Sequence, residues 1–101
     1  MKIKLDANNR KFIEIEVELN EKIHNLKYFE KNTKQIKELK EASLTKNRIE
    51  VDELNEKQFF ENLKGEKKSI KEILDFYNEN GSIYEFINKC DVELGKLFKE
   101  D

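Results

Sequence analysis

Between Lys11 and Leu19 the chain alternates without a fault: Ile13, Ile15, Val17 and Leu19 take every second position, and Glu14, Glu16 and Glu18 stand between them. Successive side chains of a β-strand point to opposite faces, so as a strand this run buries one apolar face and leaves its carboxylates in water. Wound into a helix, the same residues would be spread around the axis and bury nothing coherent. A strand needs a partner. Upstream, Met1, Ile3 and Leu5 alternate with Lys2 and Lys4, and Asp6-Ala7-Asn8-Asn9 between the two runs favours a tight turn. The pattern predicts an antiparallel β-hairpin over residues 1–19.

The rest of the chain follows a longer period. Asn20 is placed to cap a helix from Glu21, in which Ile23, Leu26, Phe29, Ile36 and Leu39 recur at helical spacings to about Ala42. Asn32 with Gln35 forms a capping-box pattern, so two shorter helices over 21–42 are the alternative. Arg48-Ile49-Glu50-Val51 reads as a short third strand. Three helix signals then follow: 56–64, opened by Asn55 and Gln58 and closed by Gly65; 70–80, opened by Ser69 and Glu72; and 83–99, opened by Ser82 and Glu85. Short connections such as Asn80-Gly81 hold neighbouring helices together. The expected architecture is one α+β domain over 1–101, a small antiparallel sheet packed with about four helices and predominantly helical.

Length and charge bound the core. The 101 residues suit one domain, apolar residues make up only 37%, and charged residues reach 42%, well above the usual ~25%. The signs nearly cancel at net −2, and the apolar periods argue for a folded chain. Cys90 is the single cysteine, which suits a reducing cytoplasm; no apolar run is long enough to span a membrane, and the first residues lack the apolar core of an export signal. Charge is uneven along the chain: residues 1–49 carry 12 basic and 8 acidic side chains, residues 50–101 carry 8 and 14. The resulting dipolar surface suits association. The bias toward Lys, Glu, Asn and Ile is what AT-rich codons produce.

Most catalytic chemistry lacks its residues. His24 and Cys90 are the only imidazole and thiol, with no CxxC or HExxH spacing, so neither a metal nor a cofactor is expected. Cys90 lies on the apolar stripe of the last helix and is expected to be buried and inert. His24, beside Ile23, reads as a partly exposed surface residue without a catalytic partner. With glycine only at 65, 81 and 95, no phosphate-cradling loop exists.

Two groups of residues are candidates for binding. Phe76 stands about 100° off the Ile70, Leu74 and Tyr77 stripe; Tyr84 and Val92 leave theirs by about 100° and 160°. With Tyr28 and Phe60, they would form an apolar patch for a protein partner, either a foreign chain or a second copy. The other group is basic. Lys27, Lys31 and Lys34 fall within about 60° on the expected first helix, and Lys64, Lys67, Lys68 and Lys71 surround Gly65. An isoelectric point near 5.6 and the interspersed glutamates argue against a dedicated nucleic-acid surface.

A charged hairpin, Met1-Lys2-Ile3-Lys4-Leu5 through Phe12 to Leu19, followed by short acidic helices in about 100 residues, resembles the layout of phage tail assembly chaperones. That resemblance implies a non-enzymatic protein holding a helical client. The expected function is therefore a protein–protein interaction module, an adaptor or assembly chaperone from a phage or other mobile element. The alternative is a nucleic-acid-linked regulator or inhibitor, acting through the lysines or as an acidic mimic of nucleic acid.

Overall fold

The computed structural model describes residues 10–97. The expected first strand at Met1–Leu5, its turn, and the end of the last helix beyond residue 97 lie outside the described residues. The alternating run forms β1 (Phe12–Leu19), followed by β2 (Lys22–Phe29), α1 (Thr33–Thr45), α2 (Arg48–Asn62), β3 (Leu63–Lys64), α3 (Lys67–Asn80) and α4 (Ile83–Lys96). The sheet is antiparallel in the order β1-β2-β3. The α+β class and the helical majority are as expected.

The helix expected over 21–42 is replaced by a strand and a helix. Asn20 and Glu21 adopt φ of 51° and 64°, the two left-handed positions of a type I′ turn, whose twist matches that of the flanking strands. The chain therefore reverses there, and Leu19 pairs with Lys22, Ile15 with Leu26 and Phe12 with Phe29. The spacing of Ile23, Leu26 and Phe29 mimics a helix, yet the buried set is His24, Leu26 and Tyr28, with a period of two. Helix α1 begins where the alternative placed a break: Asn32 Oδ1 accepts the Gln35 N–H at 2.8 Å, and Gln35 Oε1 accepts the Asn32 N–H at 3.0 Å.

Residues 48–51, expected as a strand, form the first turn of α2. Asn47 caps it through the Glu50 N–H at 2.9 Å, so Asn55 lies inside a helix rather than opening one. The third strand is instead Leu63–Lys64, which pairs with Tyr28 and Lys27. Gly65, expected to end a helix in the left-handed conformation, has no positive φ. Its role is close approach: a Cβ there would collide with the Leu26 side chain. Helix α3 begins at Lys67, ahead of Ser69, which is not its cap. Ser82 does cap α4, accepting the Tyr84 N–H at 3.2 Å.

The core lies between the inner face of the sheet and the helices. Leu26 and Tyr28 meet Phe59, Leu63, Ile73, Phe86, Ile87 and Cys90. Aromatic rings run through it, Tyr28 to Phe59 at 4.8 Å and Phe59 edge-on to Phe86 at 5.8 Å, arrangements that add about 0.5–1.5 kcal/mol each beyond burial. Strand β2 is central, and its inward residues His24, Leu26 and Tyr28 are buried. On β1 the inward residues Ile13, Ile15, Val17 and Leu19 are only half-buried.

Candidate functional site

His24 is buried, not surface-exposed as the sequence suggested. Its Nδ1 lies 2.7 Å from Ser69 Oγ, and its Nε2 lies 3.2 Å from Glu72 Oε2, out of line for a good hydrogen bond. Lys22, Ile23, Glu66 and Lys68 complete a shallow hollow around them. A hydroxyl, an imidazole and a carboxylate in series invite a catalytic reading. The Ser69 hydroxyl, however, is buried and closed against the ring, whereas a nucleophile must reach substrate. The triplet ties β2 to α3. Among the described residues, no three His, Cys, Asp or Glu side chains gather to hold a metal ion.

A second polar cluster locks the α1–α2 hairpin onto the end of β2. Gln35 and Asn62 exchange amide hydrogen bonds at 3.0 and 3.3 Å, and the Gln58 amide donates to the Gln35 carbonyl at 2.9 Å. Lys31 donates to Gln58 Oε1 at 2.9 Å and Asn55 Oδ1 at 3.3 Å, while Arg10 reaches the Glu30 carbonyl at 2.6 Å and Asn62 Oδ1 at 3.1 Å. Burial pulls the Lys31 ammonium below its ordinary range, against the attraction of Asp91 and Glu61. The amides and Lys31 satisfy one another, which is what a buried polar network must do to stabilise rather than harm, while Arg10 Nε is buried without a hydrogen-bond partner.

The expected apolar patch loses Tyr28 and part of Phe60 to the interior. Tyr28 is core: its hydroxyl donates to Asp91 at 2.5 Å, and burial, then that bond, raises its pKa. Phe60 is half-buried edge-on to Phe59. Phe76, Tyr84 and Val92 are exposed at 41%, 45% and 58%, Phe76 on α3 and the other two on α4. Phe76 packs on Tyr77 in a hollow with Asn20 and Glu72, Tyr84 reaches Glu56 of α2, and Val92 sits beside Asn88 and Lys89. Cys90 is buried, and burial followed by the Asp91 charge pushes its thiol up to about 12.

The basic groups also divide. Lys27 lies on a strand, Lys31 in the polar network and Lys34 on α1, so the helix face that was to unite them does not exist. Lys67, Lys68 and Lys71 are exposed at the start of α3. Lys27 and Lys64 do meet as neighbours across β2 and β3, but the hollow of about 590 Å³ beside them is lined by Glu14 and Glu16 as well. A phosphate backbone would meet both signs there.

What remains is the outer edge of β1. The Glu30 N–H donates to the Lys11 carbonyl at 2.9 Å, and antiparallel pairs alternate between bonded and non-bonded. Ile13, Ile15, Val17 and Leu19 therefore bond to β2, while Phe12, Glu14, Glu16 and Glu18 turn their N–H and C=O groups outward. Among the described residues no strand pairs with that edge. Beneath it runs a groove of about 690 Å³, floored by Ile13, Ile15, Val17, Tyr77, Phe86 and Leu97. The alternation in the sequence marks β1 but not its open edge, because openness depends on which side the partner strand takes.

No protein-family model, no curated protein and no solved structure matches the chain.

Proposed function

We propose that the chain is a non-enzymatic protein–protein interaction module of the cytoplasm, an adaptor or assembly chaperone in kind, that captures its partner at the free edge of β1. The observation that carries this reading is the coincidence of that edge with the half-covered apolar face below it. An unpaired strand edge is a template for another chain, and natural proteins usually blunt it with charged side chains, proline, a bulge or a cover; here Glu14, Glu16 and Glu18 are the charged side chains. Along Phe12–Leu19 there is no proline, and the flanking groove offers the apolar area that strand addition uses for specificity. The scattering of the lysines and the carboxylates beside Lys27 and Lys64 favour this reading over a nucleic-acid regulator.

Glu16→Pro tests it. The Glu16 N–H points away from β2, so proline there removes no ladder bond yet blocks an added strand. A tagged pull-down from cells that express the chain, washed in moderate salt with and without nuclease, should retain a stoichiometric protein partner. The folded Glu16→Pro variant should lose it. Capture of nucleic acid alone would refute the reading.

A further inference from the structure

We infer that the occupant of the β1 edge is an extended segment of another protein in which apolar residues alternate with lysine or arginine. This inference rests on the protein-binding reading above and adds the chemistry of the partner. A strand laid about 4.8 Å outside β1 continues the ladder through the outward groups of Phe12, Glu14, Glu16 and Glu18. Its side chains then divide between two unlike surfaces. Those turned toward the helices enter the groove over Ile15, Val17, Tyr77, Phe86 and Leu97, where Lys89 and Glu93 also stand in the lining; against that apolar floor, apolar residues avoid the cost of burying a polar group.

Those turned the other way stand beside Glu14, Glu16 and Glu18. Among the described residues of the sheet only Glu14 has a cation across from it, Lys27, whose ammonium also lies 5.1 Å from the centre of the Phe12 ring. Glu16 faces Asn25 and Glu18 faces Ile23, and no ion pair joins either glutamate to a described residue. Opposite charges placed directly across a sheet attract and like charges repel, so the row selects basic residues at alternate positions.

The same row disfavours a second copy of the chain. Two β1 strands paired antiparallel about Glu16 would set Glu14 and Glu18 of each against Glu18 and Glu14 of the other, three glutamates facing three. One competing occupant carries the favoured pattern: Met1-Lys2-Ile3-Lys4-Leu5 of the chain itself.

The test is amide exchange by NMR on the ¹⁵N-labelled full chain, titrated with a capped heptapeptide alternating lysine and isoleucine. Peptides alternating glutamate with isoleucine, and lysine with serine, serve as controls. Free protein should exchange quickly at Glu14, Glu16 and Glu18 and slowly at Ile13, Ile15 and Val17. The lysine–isoleucine peptide should protect the three glutamate amides and bind about ten-fold more tightly than the glutamate–isoleucine peptide, from three pairs of modest strength. The triple variant Glu14→Lys, Glu16→Lys, Glu18→Lys should reverse that order.

Protection of these amides already in the free chain, independent of concentration, would assign the edge to residues 1–5 and overturn the inference; concentration-dependent protection would assign it to a second copy and overturn the inference equally. Equal binding of both isoleucine peptides would overturn the charge rule while leaving the protein-binding reading intact. Failure of any protein partner to appear in the pull-down would instead sink that reading itself.

Discussion

Replacing Glu21 with glycine should stabilise the protein, and the sign of the effect distinguishes two structures. Glu21 sits at φ 64°, where a residue with a Cβ is strained by roughly 1–2 kcal/mol. Its side chain is exposed, so no contact is lost. Glycine removes the strain but enlarges the unfolded ensemble, an opposing effect of about 0.5–1 kcal/mol. The difference favours the variant by about 0.5–1 kcal/mol, and Asn-Gly is the preferred pair for this turn. For a domain of this size the melting temperature should rise by about 3–6 °C. Urea and thermal unfolding followed by circular dichroism measure it, with an unchanged urea slope showing that the folded state is the same. Had Glu21 opened a helix, glycine would have cost about 1 kcal/mol and removed a favourable charge from the first turn. A fall in stability would therefore refute the hairpin turn.

Gly65→Ala should destabilise by about 1–3 kcal/mol in the same assay, because the added methyl collides with the Leu26 side chain, which must leave its buried position to make room. Gln58→Ala should cost about 2–4 kcal/mol by urea unfolding, since it opens a cavity and strips Lys31 and the Gln35 carbonyl of a buried partner. Stability should also decline in alkali. The folded chain keeps protons on Cys90 and Tyr28 that the unfolded chain releases above about 8.5 and 10 respectively, so each group removes about 1.4 kcal/mol per pH unit once those values are passed. Lys31, lowered by burial, releases its proton first from the folded state and opposes part of this slope. Urea unfolding at pH 7, 9 and 10 should show the decline, and Cys90→Ala should flatten it between pH 9 and 10; stability constant from pH 7 to 10 would contradict the buried thiol.

The parts of the fold legible in the sequence are those set by local physics. The alternation of β1, the Asn32–Gln35 capping box and the Ser82 cap each depend on residues within a few positions of one another. Strand β2 is hidden because Ile23, Leu26 and Phe29 fit a helical period, while the strand period runs through His24, a polar residue not counted as core. Its burial depends on Ser69 and Glu72, more than forty positions away. Likewise Ile49 and Val51 alternate like a strand, and only the Asn47 cap with packing of α2 on α1 decides for helix. The candidate binding residues are less legible than the fold. Phe76 stays exposed off the stripe of α3, whereas Tyr28 is buried because its segment is a strand and not the expected helix.

The fold distributes its support unequally among the described strands. Strand β2 is held on both sides and beneath: by β1, by β3 at Lys27 and Tyr28, by the His24–Ser69 bond to α3 and by the Tyr28–Asp91 bond to α4. Strand β1 has one described neighbour and a half-covered face. Local opening free energy follows such differences in packing and hydrogen bonding, so β1 is less restrained than β2 while its register stays pinned by the turn and by eight cross-strand pairs. On the proposed reading, a strand that is fixed in register but has no described partner along one side presents a rigid template, and an incoming segment then bears the ordering cost alone. Stabilising the turn with Glu21→Gly should for that reason leave partner affinity unchanged or raised, whereas a mutation that frees β1 from β2 should lower it.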